Sequence, residues 1–170
     1  MLSRNARDVK VDEASDYILG YTIGNDLTAR SYQDPKRGGG QFTRCKAYDG
    51  FAPLGPILTN AKTFGSVEDK RIITKVNGTV FQNSLCDLIH SPETLVSFLS
   101  QGELKGKKSF LWSDELKRGL GTTLPAGTVI MTGSPPGIGY FQNPKCSLKD
   151  GDMVEVEISN IGTLVNKVVF

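Results

Sequence analysis

The chain has 170 residues, 38% hydrophobic and 22% charged, with a net charge of +2. These values suit one ordinary globular domain over residues 1–170 and exclude a disordered, fibrous or strongly basic chain. The three cysteines, Cys45, Cys86 and Cys146, include no C-x-x-C pair, which argues against a disulfide scaffold or zinc site and fits a reducing, cytoplasmic compartment.

No apolar run approaches the length needed to span a bilayer, so no membrane partner is expected. Met1 to Arg7 is basic and free of acids, as a mitochondrial transit peptide would be, but Asp8, Asp12 and Glu13 interrupt that pattern. Further along, Asp12 reads as an N-cap for a short helix carrying Ala14, Tyr17 and Ile18, with Gly20 as its stop. Tyr21 to Gly24 follows as a strand that delivers Asn25 and Asp26 to its end. Leu27 to Gln33 predicts a turn of helix, broken by Asp34-Pro35, and Gly38-Gly39-Gly40 a flexible loop. Pro53, Gly55 and Pro56 punctuate the next region into short extended pieces.

Arg71–Val76 and Thr79–Gln82 flank Asn77-Gly78, a strong hairpin signal. Ser91-Pro92 opens a helix whose apolar face is Leu95, Phe98 and Leu99. Lys105, Lys107 and Lys108, with Phe110 and Trp112 nearby, read as a solvated loop. No stacking-and-basic pattern recurs elsewhere, so no nucleic-acid partner is expected. Thr128 to Thr132 predicts a buried strand entering Gly133-Ser134-Pro135-Pro136-Gly137. Val154, Val156 and Ile158 alternate with Glu155 and Glu157 as a half-exposed strand, and Thr163 to Phe170 follows as another. Many short strands with a few short helices make the fold class α+β, mostly β.

Chemistry concentrates in three places. Asp26, Arg30 and Gln33 fall on one face of a helical turn, where carboxylate, guanidinium and amide could hold a divalent ion and an anionic oxygen. By itself this pattern is weak, since an Asp at a helix start is usually a cap. Lys46, in an aromatic and glycine-rich stretch, could place a point charge on a developing enolate or carboxylate, although lone lysines are mostly solvated. Cys45 beside it is a weak candidate nucleophile. The Thr132-Gly133-Ser134 turn offers amides and hydroxyls suited to an anion, and is neither a Walker loop nor a dinucleotide fingerprint. The single histidine, His90, has no G-x-S-x-G elbow to support a serine hydrolase.

The order and spacing of several blocks make the chain resemble the C-terminal catalytic domain of the fumarylacetoacetate hydrolase family from about Val9 to Phe170. They are Gly20-Tyr21-Thr22-Ile23-Gly24-Asn25-Asp26, the Lys46 block, Asn77-Gly78 with Gln82, Ser97-Phe98-Leu99-Ser100, the Thr132-Gly133 turn, Gly151-Asp152 with the Val154–Ile158 strand, and Ile161-Gly162-Thr163-Leu164-Val165-Asn166. The resemblance implies a mixed β-sandwich roll, a homodimer, and one Mg²⁺, Mn²⁺ or Ca²⁺ ion per site. It implies hydrolysis of C–C bonds in acylpyruvate-type acids, decarboxylation of oxaloacetate, or isomerisation of similar small oxo-acids. By the same resemblance Asp26 is a metal ligand and Lys46 the catalytic lysine. Arg30, Gln33, Gly133 and Ser134 bind substrate, with Ser134 standing where the family commonly has threonine.

Two departures qualify that expectation. The family's E-x-E metal-binding pair and its acid–base His and Glu lie upstream of the segment matched here, which leaves the metal site incomplete at Asp26. The segment Glu103 to Gly121 has no counterpart in the family and reads either as a retained intron or as a genuine loop insertion. A catalytically inactive binding or dimerisation module, and a tailoring enzyme of secondary metabolism, are the alternative functions.

Overall fold

A computed structural model describes residues 1–101 and 121–170. The lysine cluster at 105–108 and nearly all of the unmatched segment therefore lie outside the described residues. The chain folds as two compact units, Met1–Gly20 with Asn60–Lys62 and Leu88–Thr132, and Tyr21–Thr59 with Thr63–Asp87 and Gly133–Phe170.

The second unit is built on strands. β1 (Gly20–Gly24) pairs with β2 (Leu54–Asn60) in a two-stranded sheet. β2 is continuous, so Gly55 and Pro56 do not divide it into pieces as the sequence suggested. The other sheet has the order β4-β3-β5-β6, with β3 at Arg71–Val76, β4 at Thr79–Leu85, β5 at Met153–Ile158 and β6 at Gly162–Lys167. Its three pairings are all antiparallel. The expected hairpin is present, because Asn77 (φ 49°) and Gly78 (φ 78°) take the left-handed conformations a tight two-residue turn requires. One slip interrupts the β3–β4 register. Thr74 faces Gln82 and Lys75 faces Val80, leaving Phe81 as an extra residue on β4.

Alternation builds this unit's core. Val154 and Val156 turn inward from β5, and Leu164 stands opposite Val156 on β6. They pack with Ile23, Phe64 and Ile161, flanked by Ile72, Val76 and Ile158. Each such side chain contributes about 1.5–3 kcal/mol by leaving water. β6 ends at Lys167, short of the predicted Phe170, and Val169 and Phe170 are exposed.

Between β1 and β2 the chain makes two short turns. Arg30–Gln33 is a 3₁₀ turn and α1 (Pro35–Gly38) follows at once. Asp34-Pro35 therefore starts a helical turn as well as ending one. The Asp34 carboxylate accepts from the Lys36 amide, and proline suits the first helical position. α2 (Ala61–Phe64) follows β2 directly.

The described residues of the first unit are mostly loop around α3 (Pro92–Ser100), whose Ser91 hydroxyl accepts from the Thr94 amide as a cap. Its core is Leu2, Ala6, Val9, Ala14, Val96 and Leu124. The buried face of α3 runs through Val96, Ser97 and Ser100, not through the expected Leu95, Phe98 and Leu99, which are only half-buried. The cause is a backbone demand. The Val9 amide donates to Ser100 Oγ at 3.2 Å, and its carbonyl accepts from Gln101 Nε2 at 2.6 Å. Buried main-chain groups need partners, and the serine side of α3 supplies them.

Two further expectations fail here. The helix expected after Asp12 is a single 3₁₀ turn, Ala14–Tyr17, because Ile18 is drawn into an antiparallel bridge with Leu2. Thr128–Thr132 is not a buried strand. It has no ladder among the described residues, where its backbone bonds are those of Thr128 to Leu2 and Pro125, and Met131 is exposed. The Gly121 amide donates to the Gln101 carbonyl at 2.8 Å.

Candidate functional site

β1 ends at Gly24 and hands the chain to a tight run stitched by local bonds. The Asn25 amide donates to the Pro53 carbonyl, the Leu27 amide to the Asn25 carbonyl, and Thr28 Oγ1 to the Asp26 carbonyl at 3.2 Å. Lys46 arrives from the other side of the loop. Its position is set by Cys45, which is fully buried, donates from Sγ to the Phe42 carbonyl at 2.9 Å, and accepts from the Ala29 amide. Cys45 is thus an anchor, and its burial sets aside the weak nucleophile reading.

The two segments meet at a charge pair. Lys46 Nζ donates to Asp26 Oδ2 at 2.6 Å and to Thr28 Oγ1 at 3.0 Å. The side chains are 37% and 31% exposed, so the pair is half-buried and open on one side. An ammonium has three N–H donors, of which this arrangement uses two. Thr28 was not singled out in the sequence, although a hydroxyl two residues after an end-of-strand Asp is a recognisable local turn pattern.

Arg30 lies at the start of the 3₁₀ turn. Its Nη1 donates to Gln33 Oε1 at 2.7 Å, as the i,i+3 spacing suggested. Its guanidinium carbon stands 5.6 Å from the ring centre of Tyr140 and 5.5 Å from that of Phe141. Cation–π contact of this kind restrains the planar head while leaving most of its donors unused. No sequence signal marked these two aromatics. Their role depends on a fold that brings residues more than a hundred apart together.

Gly133 (φ 102°) and Ser134 are exposed in their turn. Among the described residues neither bonds to Asp26, Thr28 or Lys46. Their segment reaches the rest through Tyr140 and Phe141 on Arg30. The structure therefore gathers Asp26 with Lys46, and Arg30 with Gln33, and leaves Gly133 and Ser134 on a neighbouring turn. His90 lies in the loop before α3, in the other unit.

A second cluster lies on the same loop. Arg44 stands over Tyr32 at 4.9 Å, Tyr32 faces Tyr48 at 6.2 Å, and Tyr48 faces Phe51 at 5.3 Å. A hydrogen bond and charge from Tyr48 hold Arg44 still further toward its cationic form.

A divalent ion fits poorly to these residues alone. Such ions want several oxygen ligands. Asp26 Oδ2 is taken by the Lys46 ammonium, and the described residues contain no group of three His, Cys, Asp or Glu able to hold a metal.

Residues 1–169 match the family model for the fumarylacetoacetate (FAA) hydrolase C-terminal domain. The chain belongs to this family. A mitochondrial oxaloacetate tautomerase, Fahd2a of Rattus norvegicus, is 31% identical over 99% of this chain and 48% of its own length. Among solved structures, fumarylacetoacetate hydrolase from Exiguobacterium antarcticum is 32% identical with a TM-score of 0.79, covering 99% of this chain and 53% of that one. A 5-carboxymethyl-2-hydroxymuconate delta-isomerase from Mycobacterium smegmatis is 36% identical with a TM-score of 0.76, covering 99% and 55%. The fold is the family's, α+β and mostly β. The chain spans about half the length of the curated relatives it matches. No helix among the described residues is long and apolar enough to cross a membrane.

Proposed function

We propose that this chain forms the part of a fumarylacetoacetate hydrolase-type site that holds a small 2-oxo acid and stabilises its enolate. The observation that carries the reading is Lys46 held on Asp26 and Thr28 with one donor left over. Hydrolysis of an acylpyruvate, decarboxylation of oxaloacetate, tautomerisation and double-bond isomerisation all develop negative charge on the 2-oxo oxygen. A fixed ammonium donor aimed there is worth more to the enolate than to the ketone, which is what lowers a barrier. Arg30, fixed by Gln33, offers its remaining N–H groups to the carboxylate, and the Gly133-Ser134 turn offers an amide and a hydroxyl. The names of the tautomerase and isomerase relatives support this substrate class.

The family resemblance implies a divalent cation. Asp26 alone does not make its site, so no step here is assigned to one. A homodimer acting in the cytoplasm, and in the mitochondrion for a longer form, belongs to the same proposal. The engagement of Asp26 by Lys46 favours a second reading, a family fold kept as a binding or dimerisation module.

Calorimetric titration with oxalate, a mimic of a 2-oxo acid enolate, separates them. Losing a charge-assisted hydrogen bond weakens binding by roughly tenfold or more, so Lys46→Met is expected to do so. Oxalate affinity untouched by that change overturns the enolate role. A Mg²⁺ or Mn²⁺ heat abolished by Asp26→Ala would bring the cation into the site. Silence toward both ligands, with a stable dimer by sedimentation, leaves the module reading.

A further inference from the structure

We propose that Gln82 is a positioning residue for the Gly133–Gly137 turn, and through it for the hydroxyl of Ser134; the proposal rests on the reading of the oxo-acid site above. The turn has an unusual deficit. Pro135 and Pro136 have no N–H, so the middle of the run brings no amide to a strand ladder and only Gly133, Ser134 and Gly137 keep a main-chain donor. Among the described residues, no backbone–backbone hydrogen bond reaches 133–137. Side chains do the tying instead. Gln82 Nε2 donates to the Pro135 carbonyl at 2.8 Å, and Gln142 Nε2 to the Gly137 carbonyl at 3.1 Å.

The β4 irregularity explains how Gln82 comes to face the turn. With Thr74 opposite Gln82 and Lys75 opposite Val80, Phe81 is the extra residue of a bulge. Bulges bend a strand and re-aim the groups beside them. Here they are the Phe81 carbonyl and the Gln82 side chain, and both face the same turn. A Cβ on Gly137 (φ 103°) would collide with the Phe81 carbonyl oxygen and come within 3.1 Å of Gln82 Cγ. Glycine is required there by close approach as well as by φ. The turn thus sits flush on the bulge, clamped at Pro135, and a shift of Gln82 is passed directly to Ser134, one residue before the clamped carbonyl.

Two variants and two readouts test this. Gln82→Glu keeps the shape and, at neutral pH, accepts only, so it cannot donate to the Pro135 carbonyl. Gln82→Met removes the donor at any pH. In the ligand-free chain, both are expected to shift or broaden the NMR amide signals of Gly133, Ser134 and Gly137 while Val156 and Leu164 stay in place and Tm holds. At about pH 4, below the usual glutamate value of about 4.3, the protonated carboxyl donates again. The Gln82→Glu signals then return toward wild type while those of Gln82→Met do not. Oxalate affinity falls roughly tenfold at neutral pH, the loss expected for one positioned donor. Unmoved turn amides in both variants overturn the proposal. So does a general shift of the sheet with lost Tm, which would make Gln82 merely structural. If wild-type chain binds no oxalate, the site reading fails, and the ligand-free amide signals still decide the role of Gln82.

Discussion

In the second unit Val154 and Val156 are buried from β5, while Glu155 between them is half-buried and Glu157 beyond them is exposed, so burial follows the alternation of the sequence. In the first unit α3 buries Ser97 and Ser100 and leaves Leu95 and Phe98 half-covered. Both regions contain apolar residues in plausible patterns, yet only one obeys its pattern. A strand in a four-stranded sheet has its backbone groups matched by its neighbours, which frees side-chain burial to decide which face turns inward. The described residues of the first unit are largely irregular chain. Among these residues the buried amides and carbonyls have no strand ladder, and satisfying them decides how α3 is turned.

The largest expected effect breaks the better-ordered side of that comparison. Ile23→Ala removes a fully buried side chain from the sheet unit's core and should cost about 2–5 kcal/mol in urea unfolding, with a fall in Tm. A loss well under 1 kcal/mol would mean that this core repacks around the vacancy.

A smaller effect sharpens the contrast in the first unit. Ser97 Oγ is buried with no hydrogen-bond partner among the described residues, whereas Ser100 Oγ is bonded to the Val9 amide and the Ser97 carbonyl. Ser97→Ala should therefore leave stability unchanged or raise it by up to about 1 kcal/mol, and Ser100→Ala should lower it by about 1 kcal/mol or more. Equal losses at both positions would assign Ser97 an ordered water and remove the distinction.

The smallest effect returns to the sheet unit. Asn77 Nδ2 donates to Asp152 Oδ1 at 2.9 Å and the Lys149 amide to Oδ2 at 2.8 Å, and these bonds hold the carboxyl below its ordinary value. A carboxyl depressed in the folded state stabilises above its unfolded value of about 3.9 and loses that contribution as pH falls through the lower folded one. Asp152→Ala should be less stable than wild type at neutral pH, by a margin that shrinks as pH drops below 3.9. A pH-independent margin would assign the effect to the turn's shape and not to its charge.

Much of the site was legible because its parts are local. Asp26 at the end of a strand, Arg30 and Gln33 three residues apart, and the Asn77-Gly78 hairpin all depend on neighbours within a few residues. Thr28 carried a local turn signal without being singled out, whereas Tyr140, Phe141 and Gln82 were not legible as site residues, because each acquires its partner across the fold. The same holds for the Lys46–Asp26 pair. Adjacency of Cys45 to Lys46 established no contact between them, and in the structure the Lys46 ammonium bonds a carboxylate twenty residues away.

By itself, the sequence determined the strand-rich fold class, the hairpin, the capped start of α3 and the residue types able to hold an oxo-acid, since alternation, turn chemistry and motif spacing are short-range quantities. Tertiary structure alone decided which face of α3 is buried, that Thr128–Thr132 is no strand, and that Lys46 closes on Asp26. Those outcomes follow from where buried polar groups find partners, and a partner's position in space is not written in its position along the chain.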